Sequence, residues 1–576
     1  MPFPDLLVFK RPDYLSRLPL SCIMPCGVHE DFPTHEYFPI EGFSKLIMNV
    51  PLTPIRCLYR AVNLYGRKTG VVSGSSSFTY AQFGERCERL AAGLLSEGIQ
   101  PGDRIAYLSF NNHQLLEGYY GPPLIRAIAM PLNVRLQPAE LVTILNHAGA
   151  SMLVFETEFA PLIETLRKAC PTIKTYVAID QSVPQADLFL EDMLAKDRIP
   201  RPDLFSFDEN EIAELFYTSG STGTPKGVML SHRTLYLHTL GLLVSLPSDD
   251  SRVELHTIPL FHANGWGRPQ SITLTGGKHV MVRRFEPAFV MRLIQEEKGT
   301  GMTLVPTMAN ALLNCPDLGK YDTSSMKVIT MGGAAASAEL IARMEQAFHC
   351  DVRAGYGLTE TSPVATSAHT KGTVSYASEE DRLLHLSAAG WPLTGCDVHV
   401  VDSQMQDVPR DMQAVGEVVV RGDNVMDGYY KEADATAAAM TDGWLHTGDM
   451  AVWDDENYIH IVDRKKDIII SGGENISSID VEKAIFAHPA VLECAVVSAP
   501  DPQWGEIPAA IIVLKPGQQL TEEQLLSFLK ARIAKFKVPR LIKFVEGPLP
   551  KTGTGKMLKR ELREVFWSGK ATRVQG

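Results

Sequence analysis

The stretch Leu215-Phe216-Tyr217-Thr218-Ser219-Gly220-Ser221-Thr222-Gly223-Thr224-Pro225-Lys226-Gly227 constrains this chain more than any other. An apolar run with strand character feeds a loop of hydroxyl and glycine residues that one lysine closes. Glycines let successive backbone N–H groups turn toward an anion, the hydroxyls add donors, and the lysine adds a charge. The stretch therefore reads as a phosphate cradle. It is not the P-loop of the nucleoside triphosphatases, in which Gly-Lys-Ser/Thr follows a four-residue gap. Here Pro225 precedes the lysine and Gly227 follows it.

The surroundings of the cradle alternate between strand and helix. Thr79-x-x-Gln82 is a capping box that opens a helix with Phe83, Cys87, Leu90, Ala91, Leu94 and Leu95 on one face, and Gly98 ends it. Pro101-Gly102-Asp103 turns the chain into the strand Ile105-Ala106-Tyr107-Leu108. A helix over about 138–147 then leads to the strand Met152-Leu153-Val154-Phe155. This rhythm, repeated around 254–260, 301–305 and 327–331, predicts parallel sheets covered by helices. Residues 369–388 are charged and Ser-rich and read as a surface excursion. Residues 395–462 carry short β runs between turns, a small β-rich unit. Behind the charged run 463–467 comes a second α/β pattern, with a helix near 481–487, strands at 495–497 and 509–514, and a helix opened by Thr521-x-x-Gln524. A chain of 576 residues exceeds what one core serves, so several domains are expected.

Bulk properties exclude some classes. A net charge of -12 argues against nucleic acid as the main partner. No apolar run reaches the roughly 18 residues of a membrane span, and no basic segment followed by an apolar core marks a secretory signal. The last residues, Arg573-Val574-Gln575-Gly576, are not a peroxisomal address. Nine dispersed cysteines suggest reduced thiols in a cytoplasmic compartment, and Cys22 and Cys26 have no matching Cys/His pair for zinc.

Further motifs follow the cradle in order. They are Gly355-Tyr356-Gly357-Leu358-Thr359-Glu360-Thr361, then Trp444-Leu445-His446-Thr447-Gly448-Asp449, then Asp463-Arg464-Lys465-Lys466-Asp467 with Ser471-Gly472-Gly473-Glu474-Asn475, and last Leu549-Pro550-Lys551-Thr552-Gly553-Thr554-Gly555-Lys556. With the cradle they resemble the signatures of the acyl-adenylate-forming (AMP-binding) superfamily, most closely its fatty-acyl-CoA synthetases, over about residues 50–566. The resemblance implies an α/β fold: a large N-terminal domain of two α/β subdomains plus a β-rich subdomain, and a small mobile α/β C-terminal domain. The corresponding boundaries are 48–463 and 464–576, behind an arm or extension at 1–47.

The resemblance also implies a reaction and its residues. A carboxylic acid and ATP with Mg²⁺ give acyl-AMP and pyrophosphate, and the thiol of coenzyme A then displaces AMP. Thr218, Ser219, Gly220, Ser221, Thr222, Gly223 and Lys226 would cradle the phosphates. Gly355, Tyr356 and Gly357 would line the adenine, Thr359 would touch phosphate, and Glu360 with Thr218 would hold the metal. A hard cation takes carboxylate and phosphate oxygens and offsets the triphosphate charge. Asp449 would accept the ribose hydroxyls, with Arg464 reaching ribose and phosphate. Lys466 would be the domain pivot, and Ser471, Gly472 and Gly473 would border the coenzyme A channel. Lys556 heads the catalytic set of Lys556, Glu360, Thr218 and Lys226, because a lysine between carboxylate and α-phosphate stabilises the charge that grows between two anions.

The substrate is read from Phe261-His262-Ala263-Asn264-Gly265-Trp266. No carboxylate stands there to pair with an α-ammonium group, so amino acids are disfavoured. By resemblance Trp266 gates an acyl tunnel lined by His262, Ala263, Gly332, Gly333 and Ala334, whose small residues leave room for a medium- or long-chain fatty acyl group. Arg268, where an apolar residue is expected beside that gate, speaks against long-chain specificity and leaves medium-chain or aryl acids open, with an aryl- or short-chain-acid ligase as the alternative. The partners expected are the acid, ATP and coenzyme A, with a homodimer left open. Only 20 residues follow Lys556, so coenzyme A is favoured as acceptor over a carrier protein loaded by an adenylation module.

Overall fold

Helix starts follow the local chemistry of their caps. Thr79 accepts from Gln82 N–H, and Gln82 Oε1 accepts from Thr79 N–H at 2.8 Å, which opens the helix Tyr80–Ser96. The same reciprocal pair at Thr521 and Gln524 opens Glu522–Lys530. Each such cap stabilises its helix by about 1 kcal/mol. The computed structural model describes residues 49–218, 225–472, 474–551 and 557–567. The expected arm at 1–47 and the expected site residues Ser219, Gly220, Ser221, Thr222, Gly223, Gly473 and Lys556 lie outside the described residues.

Two large sheets carry the N-terminal region. The first has eight strands, in the order Gly428–Tyr429, Lys226–Ser231, Ile212–Thr218, Ile128–Pro131, Arg104–Leu108, Met152–Phe155, Thr175–Ala178 and Leu188–Phe189. The second has nine: Trp391–Pro392, Val364–Ser367, Asp351–Gly357, Val328–Met331, Gly301–Leu304, Val253–His256, Lys278–Met281, Thr69–Ser73 and Ser76–Thr79. The inner strands of both run parallel, with helices in the crossovers. One helix, Arg268–Thr275, is buried from Arg268 to Leu274 and is the seam between the two sheets. Gln270 donates to Glu214 of the first sheet at 2.7 Å, and Thr273 meets His279 of the second at 3.0 Å.

The β-rich unit is an antiparallel sheet of Cys396–Val401, Gly416–Gly422, Trp444–Trp453 and Met440–Thr441, with Ile459–Arg464 paired to Trp444–Trp453. The C-terminal region builds its own sheet around the long pair Val491–Asp501 and Gly505–Leu514, over a separate core with Ile469, Val481, Val496, Ile512 and Leu525. Residues 369–388 are not a bare excursion. Ser378 caps the helix Glu379–Ser387, whose Leu386 enters the core of the second sheet while Arg382 pairs with Glu345 at 2.6 Å. Leu383 and Leu386, three apart, form an apolar edge that the surrounding charges conceal in sequence. Seven described cysteines are unpaired, and no described helix is long and apolar enough to cross a membrane.

Candidate active site

The cradle stands on a hairpin. Ile212–Thr218 and Lys226–Ser231 pair antiparallel with Thr218 opposite Lys226, so both described flanks of the loop are strands. Lys226 Nζ lies 4.8 Å from the centre of the Tyr429 ring, and the Tyr429 hydroxyl donates to Glu360 Oε1 at 2.8 Å. Burial, and then the nearby Glu360 carboxylate, raise the Tyr429 hydroxyl above its ordinary range, so it stays a donor. Glu360 sits in the tight turn Thr359–Thr361. That turn is held by Asn424 Nδ2 donating to the Thr361 carbonyl at 3.0 Å and by Met426 N–H donating to the Glu360 carbonyl at 2.8 Å. Tyr429 and Asn424 are residues that the motif reading missed. Gly428-Tyr429 is a short edge strand with no motif of its own in sequence, and its pairing with Lys226–Ser231 is what places Tyr429.

A second cluster adjoins the first through the strand Asp351–Gly357, which carries Gly355, Tyr356 and Gly357. The Tyr356 hydroxyl donates to Asp449 Oδ2 at 2.8 Å, and Arg464 Nε stands 3.1 Å from Asp449 Oδ1. Asp449 and Arg464 face each other across paired strands, and Asp449 is only 4% exposed. Burial raises the Tyr356 hydroxyl well above its usual range, with Asp449 adding to it. The carboxylate is thus presented in one orientation by two partners, as recognition of a diol requires.

Lys466 lies in the turn that leaves the strand Ile459–Arg464. The turn is braced from the last described helix, Lys559–Trp567: Arg563 donates to the Lys466 carbonyl at 3.2 Å and to Asp467 Oδ1 at 2.5 Å. Asp463 accepts from both the N–H and the hydroxyl of Ser478 at 2.6 and 2.5 Å. Burial lowers the Lys466 ammonium from its usual range, against the opposing pull of Asp467. Ser471 ends the strand Ile469–Ser471. Gly472 has φ +61°, and a Cβ there would come within 2.5 Å of the Trp504 indole.

The acyl side differs from expectation in one respect. A Cβ on Gly332 would lie 1.7 Å from Trp266 Cη2, so the room left by that glycine is already filled by the indole. Trp266 is 7% exposed and adopts φ +63° in the turn Ala263–Gly267. What remains is a cavity of about 20 Å³ lined by Arg135, Ile258, Pro259, His262, Trp266, Val305, Met308 and Gly333. That is space for about one water molecule. Ala263 is buried beside it without lining it, and Ala334 is exposed and off the cavity.

The chain matches known proteins along most of its length. The family model described as AMP-binding enzyme matches residues 58–430, and the AMP-binding enzyme C-terminal domain matches 480–556. A long-chain-fatty-acid–CoA ligase from Thermus thermophilus is 38% identical over 92% of this chain and 98% of its own. A peroxisomal butyrate–CoA ligase from Arabidopsis thaliana is 36% identical over 90% of this chain and 93% of its own. Among solved structures, an anthranilate CoA ligase in complex with anthranoyl-AMP superposes with a TM-score of 0.81 at 26% identity, covering 90% of this chain and 98% of that one.

Proposed function

Because this chain belongs to the AMP-binding enzyme family, we propose that it joins a carboxylic acid to coenzyme A in two steps on one site. It is an AMP-forming acid–thiol ligase. In the first step a carboxylate oxygen attacks the α-phosphorus of ATP and pyrophosphate leaves. In the second the thiol sulfur attacks the acyl carbon, its proton is lost, and AMP leaves. The observation that carries this reading is the pair of linked clusters, Lys226–Tyr429–Glu360 and Tyr356–Asp449–Arg464, on adjoining elements.

Asp449 accepts the ribose hydroxyls and Arg464 holds it in place. Thr218, Lys226 and the loop 219–223 bind the phosphates, with Thr359 beside them. Gly355, Tyr356 and Gly357 border the adenine. Glu360 and Thr218 are the residues that would hold Mg²⁺, which neutralises triphosphate charge when bound. Glu360, whose Oε1 accepts from Tyr429, offers a carboxylate of the kind that suits an ion keeping waters and phosphate oxygens in its shell. Lys556 stabilises the adenylation transition state, Lys466 is the pivot, and Ser471, Gly472 and Gly473 border the coenzyme A channel. His262, Gly332 and Gly333 surround the acyl group once Trp266 moves aside. The relatives span long-chain, short-chain and aryl acids, and a medium- or long-chain acyl group would enter only when Trp266 leaves the space over Gly332. The reaction runs in the cytoplasm. AMP release with coenzyme A across fatty, aryl and short acids tests the reading, and absence of acid-dependent ATP–pyrophosphate exchange would sink it.

Two variants bear on it directly. Glu360→Gln should slow adenylation about tenfold or more at limiting Mg²⁺ while leaving Tm unchanged, since glutamine still accepts from Tyr429. Equal rates for variant and wild type would remove Glu360 as the metal ligand. Trp266→Ala should raise kcat/KM for bulky acids relative to small ones by about tenfold, because it empties the space over Gly332. An unchanged acid profile would take Trp266 out of the acyl site.

A further inference from the structure

The nine-stranded sheet presents an unusual face below the Trp266 indole. Leu255, Met302, Ile329 and Val352 point into an apolar core on one side. Their neighbours on the other side form a polar row. Arg353 pairs in register with Thr330, Thr330 with Thr303, and His256 continues the row on the next strand. Gly332 and Gly355, the two glycines nearest the indole, lie two residues beyond Thr330 and Arg353 on that same face. The row is therefore about 7 Å further along the sheet than the plugged acyl space.

Arg268 covers this row from the buried seam helix. It is 8% exposed, and its Nε has no hydrogen-bond partner among the described residues, the closest carboxylate being Glu254 at 3.6 Å. Glu254 is already engaged by Arg252 through Nε at 2.8 Å and Nη2 at 2.5 Å. Arg353 Nε is likewise without a partner, as are the hydroxyls of Thr303, 3% exposed, and of Ser367, whose residue lies opposite Gly355. Buried polar atoms are rarely left unpaired, and those of Arg268, Arg353 and Thr303, gathered along one row, call for a partner. Arg252 and Arg268 share one buried carboxylate, Glu254, and Arg353 has only Asp351 at the exposed start of its strand, so one guanidinium lacks an anion of its own and the missing partner is an anion. An apolar chain end pushed against them would leave the charges uncompensated.

Building on the ligase reading above, we propose that the acyl channel ends in a polar pocket of Arg268, Arg353 and Thr303 that selects acids with a second, anionic group at the far end: α,ω-dicarboxylic acids. The reacting carboxylate goes to the adenylation centre, and the distal carboxylate accepts hydrogen bonds from the two guanidinium groups. A site with buried donors rejects analogues that cannot pair with them far more strongly than an apolar pocket rejects an extra methylene.

The test measures kcat/KM for AMP release, with coenzyme A, for three acid series of matched length: methyl-terminated, ω-hydroxy and ω-carboxylate. At one chain length the dicarboxylate is expected to exceed the methyl-terminated acid by at least about tenfold. Arg268→Leu should invert that preference, and Arg268→Lys should restore part of it. The wild-type panel decides alone if Arg268→Leu fails to fold. Methyl-terminated acids leading at every length would overturn the pocket while leaving the ligase reading intact, and ω-hydroxy acids leading would overturn its anionic character. No AMP release with any acid, and no acid-dependent pyrophosphate exchange, would overturn the ligase reading and the pocket with it.

Discussion

Lys556→Ala is expected to slow acyl-AMP formation by about 10²–10³, the scale for removing one electrostatic partner of a transition state. Adenylation brings a carboxylate and a triphosphate together, and a cation between them matters most as the new P–O bond forms. Thioester formation has a different demand, since a neutral or singly charged sulfur attacks an activated carbonyl. Supplied with ready-made acyl-AMP, the variant should therefore make acyl-CoA at nearly the wild-type rate. Single-turnover kinetics of each half-reaction measures this. Equal slowing of both would mean that one fixed arrangement serves both steps, and the pivot role given to Lys466 would fall. The turn at Lys466 is held by Arg563 from the last described helix, so rotation about it must carry or release that contact.

Asp449→Ala should lower kcat/KM for ATP by about 10²-fold or more, because hydrogen bonds from a diol to a charged acceptor contribute about 1.5–3 kcal/mol each. The loss should appear in the KM for ATP and much less in the acid's KM. Arg464 and Tyr356 would lose their shared partner, so some destabilisation is also expected, and Tm separates the two effects. Asp449→Asn keeps the shape and should fall between wild type and alanine. An unchanged KM for ATP in both variants, with the fold intact, would mean that Asp449 is a structural cross-strand partner of Arg464 and nothing more.

The chemistry proposed for this site is read from the sequence wherever one continuous stretch carries it. The glycine and hydroxyl loop before Lys226, the Thr359–Thr361 turn and Asp449 after Thr447-Gly448 are local motifs, and their residue types follow from phosphate, metal and diol chemistry. The capping boxes at Thr79 and Thr521 were legible for the same reason, since both partners lie three residues apart. The helix Glu379–Ser387 was not, because its apolar edge is two leucines within a charged run and its meaning depends on the core it meets.

Contacts between distant segments were decided by tertiary structure alone. Tyr429 joins Lys226 to Glu360 only because its short strand pairs at the edge of the first sheet, beside Lys226–Ser231. Gly332 read as open space, whereas the fold brings Trp266, 66 residues earlier, into the place of its missing side chain. Arg353, Thr330 and Thr303 are ordinary strand residues in sequence, and parallel pairing aligns them into one row under Arg268. A motif states which groups are available within a few residues. Strand order and register, set by how two large sheets bury their apolar faces, determine which of those groups share a cavity.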